Sequence, residues 1–230
     1  MMKKVAIIPA RGGSKRIFKK NIKDFCGKPI LAYSILLAQE TGVFDCVVVS
    51  SDDAEILEVA KNYGANPLQR PQDLSNDTAA TLPVMAHAVE SLGLGLRDLV
   101  CCIYATAPLL EQKYVLQGME ALLQNPSKNY AFGVAEFANS PLRGFFIQEE
   151  VIELLFPQYQ FVRSQDLQKI YHDAGAFYWG YAQSFLEQRW IFGAHSLPIL
   201  LPKMMVQDID TMDDWNLAEI KYKMKHAKTL

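Results

Sequence analysis

A chain of 230 residues that is 50% apolar and 21% charged, with a net charge of −2, can bury one α/β core. That balance excludes a disordered segment and a bulk polyanion binder, and no basic stripe points to nucleic acid. Cys26, Cys46 and the adjacent pair Cys101 and Cys102 lack CxxC spacing, so reduced thiols are expected, not a disulfide framework or a zinc site. The N-terminal apolar run is too short for a signal peptide, and no run reaches the ~18 apolar residues of a membrane span. A cytoplasmic protein without membrane partners is the expectation.

In chain order, "KKVAIIP", "CVVVSS" and "LVCCIYATAP" are short, continuously apolar runs, the pattern of parallel strands buried on both faces. Helices are expected between and after them. "PILAYSILLAQETG" opens at Pro29 and stops at Gly42, and "DDAEILEVAKNYG" sets Asp52 and Glu55 in a capping-box-like relation before Gly64. "TLPVMAHAVESLG" and "EQKYVLQGMEALLQNP" complete an alternation that predicts a doubly wound α/β sheet. "YAFGVAEF", "GAFYWGY" and "SLPILLP" read as further strands, and a final helix opens near "TMDDWNLAEIKYKMKH". Residues 138–175, with Pro141 and Pro157, read as an excursion from the sheet of a single domain spanning 1–230.

The stretch "PARGGSKRIFKKN" follows the first strand, where open parallel sheets bind ligands. Gly12 and Gly13 allow a tight turn with backbone N–H groups near an anion, and Ser14 adds a hydroxyl. Arg11, Lys15, Arg16, Lys19 and Lys20 exceed what one phosphate needs, which points to a triphosphate. Neither GxGxxG nor GxxxxGK[ST] is present, so the dinucleotide fingerprint and the Walker loop are excluded. A solvated basic loop is the alternative.

In "VQDIDTMDDW", Asp208 and Asp210 flank Ile209, so an extended backbone turns both carboxylates to one side and Ile209 inward. Such a pair suits Mg²⁺, which takes one or two carboxylates together with phosphate oxygens and water. A solvated turn is the alternative. Thr211 and Asp214 form a T-x-x-D capping box, and Asp213 complements the helix dipole.

Together "IIPARGGSKRIFKKN", "RPQDLSNDTA" and "QDIDTMDDW" resemble, in order and spacing, the cytidylyltransferases that activate nonulosonic acids, the CMP-sialic acid synthetase family. "CCIYATAPLL", "RSQDLQKIYHDAGAFYWG" and "VQDIDT" are most similar to its pseudaminic acid branch. The resemblance implies a Rossmann-like nucleotidyltransferase fold: a mixed, mainly parallel sheet with helices on both faces and a small dimerisation arm at about 138–175. It implies transfer of CMP from CTP to a 2-keto sugar acid with Mg²⁺, by a homodimer. Legionaminic or sialic acid is the alternative substrate, and a non-catalytic nucleotide sensor the alternative of another class.

By motif matching, Ala10, Arg11, Gly12, Gly13, Ser14, Lys15, Lys20 and Asn21 fall on the family's nucleotide loop. Arg70, Asp77, Thr78 and Thr81 fall near the nucleotide, and Asp208 and Asp210 on the metal pair. Arg11, Lys20, Asp208 and Asp210 are the expected catalytic set. Three departures stand out. Tyr104 replaces a sugar-contacting glutamine, which disfavours sialic acid itself. Arg16-Ile17-Phe18 replaces a stretch with a Gly and a Pro. "HDAG" replaces an Asn-Gly pair, so His172 and Asp173 are expected to read substituents of a different sugar. Arg163 is the expected partner of the sugar carboxylate, a guanidinium being able to bind it bidentately; a surface pair with Asp166 is the alternative. Gln165 is expected to bond sugar hydroxyls or acylamino groups. Phe177 and Tyr178 alternate between core and pocket, with Tyr178 assigned to the sugar. His87 reads as packing, and Trp179, Trp190 and Trp215 as core or interface.

Overall fold

The computed structural model describes residues 2–76 and 78–227. The apolar runs become strands in the expected order. β1 (Lys4–Pro9) leads through the basic loop and a tiny hairpin, β2 (Asp24–Phe25) and β3 (Lys28–Pro29), into α1 (Ile30–Glu40). β4 (Cys46–Ser51), α2 (Ala54–Asn62), β5 (Asn66–Gln69), α3 (Thr81–Ser91), β6 (Leu99–Ile103) and α4 (Gln112–Gln124) continue the alternation. The second half holds β7 (Tyr130–Glu136), a hairpin of β8 (Phe145–Gln148) and β9 (Val151–Leu154), then β10 (Tyr171–Tyr181) and α5 (Ala182–Leu186). β11 (Ser196–Leu200) and α6 (Met212–His226) end the chain's described elements.

Seven strands form one sheet in the order β11-β7-β10-β6-β1-β4-β5. All neighbours are parallel except β10, which runs antiparallel to both β6 and β7. Ala6 and Ile8 face α1, α2 and α4, while Val5 and Ile7 face α3 and α5. This two-sided burial is why β1 and β6 read as unbroken apolar runs. Trp179 anchors the first face: its indole donates to the Val115 carbonyl at 2.7 Å and its ring stacks on Phe44. Gly118 of α4 permits that approach, since a Cβ there would lie 2.8 Å from the Phe177 ring and 2.9 Å from Trp179.

One strand is added to those expected, and two local expectations change. β5, "NPLQ", pairs only with β4, and an edge strand tolerates proline and needs no alternation. β10 starts at Tyr171, so the excursion closes before it: the Phe137 amide donates to the Ile170 carbonyl at 3.0 Å. Gly175, at φ +57°, absorbs the register shift between Asp173 and Tyr178 that lets the strand begin early. The N-cap of α2 is Asp53, whose carboxylate accepts the Glu55 and Ile56 amides, not Asp52. Thr211 and Asp214 do form their capping box. Trp179 and Trp215 are buried, whereas Trp190 lies on the surface.

Candidate active site

Because β1, β4, β5, β6, β7 and β11 run in one direction, their carboxyl ends share one edge, and antiparallel β10 begins there. The loop after β1 is held at that edge from several sides. Ser14 donates its amide to the Gly12 carbonyl at 2.9 Å, and the Asn21 side chain donates to the Arg11 carbonyl at 2.8 Å. The Gly12 amide is given to the Asp52 carboxylate at 3.0 Å, so it anchors the loop to the protein's own anion. A Cβ on Gly12 would lie 2.5 Å from Asp53 Oδ2, which is why the loop can rest on the start of α2 only with glycine there.

The five loop cations separate. Lys19, with left-handed φ of 49°, turns to Glu55 of α2 at 2.6 Å. Arg11, Lys15, Arg16 and Lys20 line a cavity of about 250 Å³ together with Ser14, Asn21, Arg70, Asn76, Thr81 and Tyr104. Arg70 is buried, donates from Nε to Ser75 Oγ at 3.0 Å and lies 3.8 Å from Asp52. Asp52 therefore touches both the loop and Arg70. Ala10 is buried beneath the loop, Gly13 is exposed, and Thr78 bonds Asn76 outside the cavity lining; Asp77 lies outside the described residues.

The acidic segment arrives from the far edge of the sheet. After β11 the chain crosses the carboxyl ends of β7 and β6 and the start of β10 between them to reach the basic loop. Lys221 of α6 braces this crossing through the Val206 carbonyl and the Gln207 side chain, at 2.8 and 2.9 Å. The Asp214 carboxylate accepts the Asp210 amide at 3.1 Å. Ile209 is buried in one cluster with Ile17 of the basic loop, Phe25, Ile30 and Trp215. On either side of it, Lys20 Nζ donates to the Ile209 carbonyl at 2.6 Å and lies 3.9 Å from Asp210, and Arg16 pairs with Asp210 at 2.6 Å. Burial lowers the Lys20 pKa against the opposing pull of Asp210 and Asp208. Burial, then the neighbouring Asp210 charge, raises that of Asp208.

Beyond Lys20 the cavity ends in an aromatic wall. Tyr104 O–H pairs with Thr81 Oγ1 at 2.8 Å, its ring packs 5.4 Å from that of Tyr178, and Tyr178 donates its hydroxyl to Asp173. Burial raises the pKa of both phenols, so they act as neutral hydrogen-bonding groups. Tyr178 is buried behind Tyr104 on the same side of the sheet and Phe177 lies on the opposite face; of these residues Thr81 and Tyr104 line the cavity, and Tyr178, His172 and Asp173 do not. His172 bonds the Asp173 carbonyl at 2.8 Å and packs on Phe137. Arg163 and Gln165 do not line this cavity. They sit in the excursion, where Arg163 pairs with Asp166 at 2.6 Å and Gln165 lines a second hollow with Phe137, Arg143 and Ser164.

Sequence reasoning missed Asp52 as a member of the site, and it counted Arg16 among the loop cations without its pairing to Asp210. The doubled aspartate after β4 was the available signal for Asp52: one carboxylate is needed for the cap, and the other is left for the loop. For Arg16 nothing in the spacing linked it to a residue 194 positions later.

An open, mainly parallel sheet with a cation-lined cavity and a carboxylate pair at its carboxyl edge is a nucleotidyltransferase architecture. The solved CMP:2-keto-3-deoxy-manno-octonic acid synthetase, complexed with CTP, superposes with a TM-score of 0.71 over 99% of this chain and 100% of that one, at 15% identity. The cytidylyltransferase family model matches residues 5–198, and the chain belongs to that family. It is 48% identical over 98% of its length to the pseudaminic acid cytidylyltransferase of Campylobacter jejuni subsp. jejuni serotype O:23/36, covering 98% of that protein. It is 28% identical to the CMP-N,N'-diacetyllegionaminic acid synthase of Legionella pneumophila, over 95% of each chain.

Proposed function

We propose that this protein transfers CMP from CTP to the anomeric hydroxyl of pseudaminic acid, giving CMP-pseudaminic acid and pyrophosphate. The observation that carries this reading is one cavity bounded by the basic loop, with the Asp208–Asp210 segment bonded to that loop and the Tyr104 wall facing it. The identity to the Campylobacter enzyme supports the choice of sugar.

In the reaction the anomeric oxygen forms a bond to the α-phosphorus of CTP, the bond from that phosphorus to the bridging oxygen breaks, and the hydroxyl proton leaves. Such transfers depend on positioning and charge stabilisation. Arg11, Lys15 and Lys20 neutralise the triphosphate, and Ser14 offers it a hydroxyl. Among the described residues no cluster of three or more His, Cys, Asp or Glu side chains forms a metal cage. Asp208 and Asp210 suit Mg²⁺ as a two-carboxylate set, phosphate and water completing it, and that ion when bound supplies charge for the leaving group and the attacking oxygen. Thr81 and Tyr104 form a prearranged hydrogen-bonded wall for the sugar, backed by Tyr178 and its partner Asp173. The reading implies a cytoplasmic enzyme, since CTP is a cytoplasmic nucleotide, and no helix among the described residues is long and apolar enough to cross a membrane.

The test is pyrophosphate release from CTP and Mg²⁺ with pseudaminic, legionaminic, sialic and 3-deoxy-manno-octulosonic acids. Pseudaminic acid is expected to give the highest kcat/KM. Turnover of another acid alone overturns the sugar, and CTP binding without any turnover favours the nucleotide sensor.

The same reading includes a homodimer, supported by the β8–β9 hairpin. Phe145, Phe146, Ile147, Val151 and Ile152 are all at least half exposed there, Ile147 at 70%, a patch suited to a second copy. Ile147→Glu is expected to leave the fold intact, because the side chain touches solvent, and to shift the species seen by light scattering from dimer to monomer. A wild-type monomer removes the arm from the dimer reading.

A further inference from the structure

Asp52 carries no step of the proposed reaction, yet its carboxylate spans the two sides of the cavity. On one side stand the loop cations Arg11, Lys15 and Lys20, and on the other Arg70 with the apolar Leu74 and Val84. A triphosphate suits the first side and a base the second. Oδ1 of Asp52 accepts the Gly12 amide of the loop at 3.0 Å and lies 3.8 Å from Nη2 of Arg70. The Asp52 side chain is 15% exposed and that of Arg70 4%, so this pair is shielded from solvent and salt. Burial lowers the Arg70 pKa, with the Asp52 charge as the opposing pull. Each side also has bonds of its own. The loop keeps the Asn21 side chain on the Arg11 carbonyl and the Ala10 amide on the Ser50 carbonyl, while Arg70 keeps its amide on the Ser51 carbonyl and its Nε on Ser75. What Asp52 adds is the spacing between them.

We infer that Asp52 is a positioning residue that sets the distance between the triphosphate side and the base side of the cavity, so that CTP engages both at once. The inference rests on the proposed use of CTP. A ligand that spans two subsites gains from both only when they are held in register, and a misplacement of about 1 Å forfeits much of that gain. A fragment that fills one subsite is indifferent to the register.

Charge alone has the opposite effect on CTP, which separates the two causes by sign. Removing a carboxylate from beside a cation-lined cavity favours every phosphate, whereas losing the spacing disfavours only the ligand that spans it. In Asp52→Ala, calorimetry is expected to show CTP with Mg²⁺ binding about tenfold more weakly, the worth of one hydrogen bond to a charged group, and pyrophosphate with Mg²⁺ binding at least as tightly as to wild type. In steady-state kinetics KM for CTP rises by the same factor, while kcat at saturating CTP and KM for the sugar acid stay within about threefold of wild type. Asp52→Asn keeps an oxygen for the Gly12 amide and loses only the charge facing Arg70, so its loss is expected to be smaller, about threefold, and it keeps the test decisive if Asp52→Ala does not fold. Unchanged or tighter CTP binding, an equal loss for CTP and pyrophosphate, or a fall in kcat at constant KM overturns the positioning role. A wild-type protein that binds no CTP overturns the proposed function instead.

Discussion

Asp210→Asn is expected to lower kcat for CMP transfer by about a thousandfold, the scale of removing one preorganised charge from a transition-state site. The substitution keeps size and shape but takes away the charge that faces Arg16 and Lys20 and that is proposed to hold the metal. Folding should be indifferent to it. The Asp210 side chain is 40% exposed, and its backbone amide remains bonded to Asp214, so the capping box of α6 survives. Steady-state pyrophosphate release and thermal melting by circular dichroism check both halves: near-zero turnover with a melting temperature within about 2 °C of wild type. Wild-type turnover would remove Asp210 from the chemistry.

Lys20→Ala is expected to be nearly as damaging, with about a hundredfold loss in kcat/KM, and for a different reason. Its ammonium bonds the Ile209 carbonyl between the two aspartates and also lines the cavity, so it serves the acidic segment and the ligand at once. Without it, Asp208 and Asp210 lose the half-buried cation that offsets their mutual repulsion. Since both residues act in one cluster, the double variant Lys20→Ala with Asp210→Asn should lose far less than the product of the single losses. Multiplicative losses in steady-state kinetics would mean that the two act independently.

The elements that carry this site were legible where burial or caps dictate sequence. β1, β4 and β6 announce themselves because both faces of a parallel strand are covered, and the Thr211–Asp214 box marks α6 to the residue. Edge strand β5 was hidden because one neighbour demands little of "NPLQ". The early start of β10 was hidden because Gly175 reads as a turn when it is a register shift within a strand. In the site, local motifs were readable: the basic loop, the QDID pair and Tyr104 each stand out alone. Relations between distant segments were not, since which cation meets which carboxylate depends on how ten residues cross the sheet edge. Arg163 and Gln165 show the same limit, since a basic and an amide residue near the sugar-site strand say nothing of how far the excursion carries them.

Ile17 and Ile209, buried in one apolar cluster between a positive loop and a negative segment, act as a seam between the two electrodes of a capacitor. Charge that is to stabilise a developing phosphoryl transition state is most effective when its position does not have to relax during the reaction. Greasy contacts, unlike the ion pairs beside them, do not loosen as ionic strength rises or as a charged ligand enters and leaves. The spacing between the two charged walls is therefore set by core packing, and the salt bridges across it remain available to be traded with substrate on every turnover.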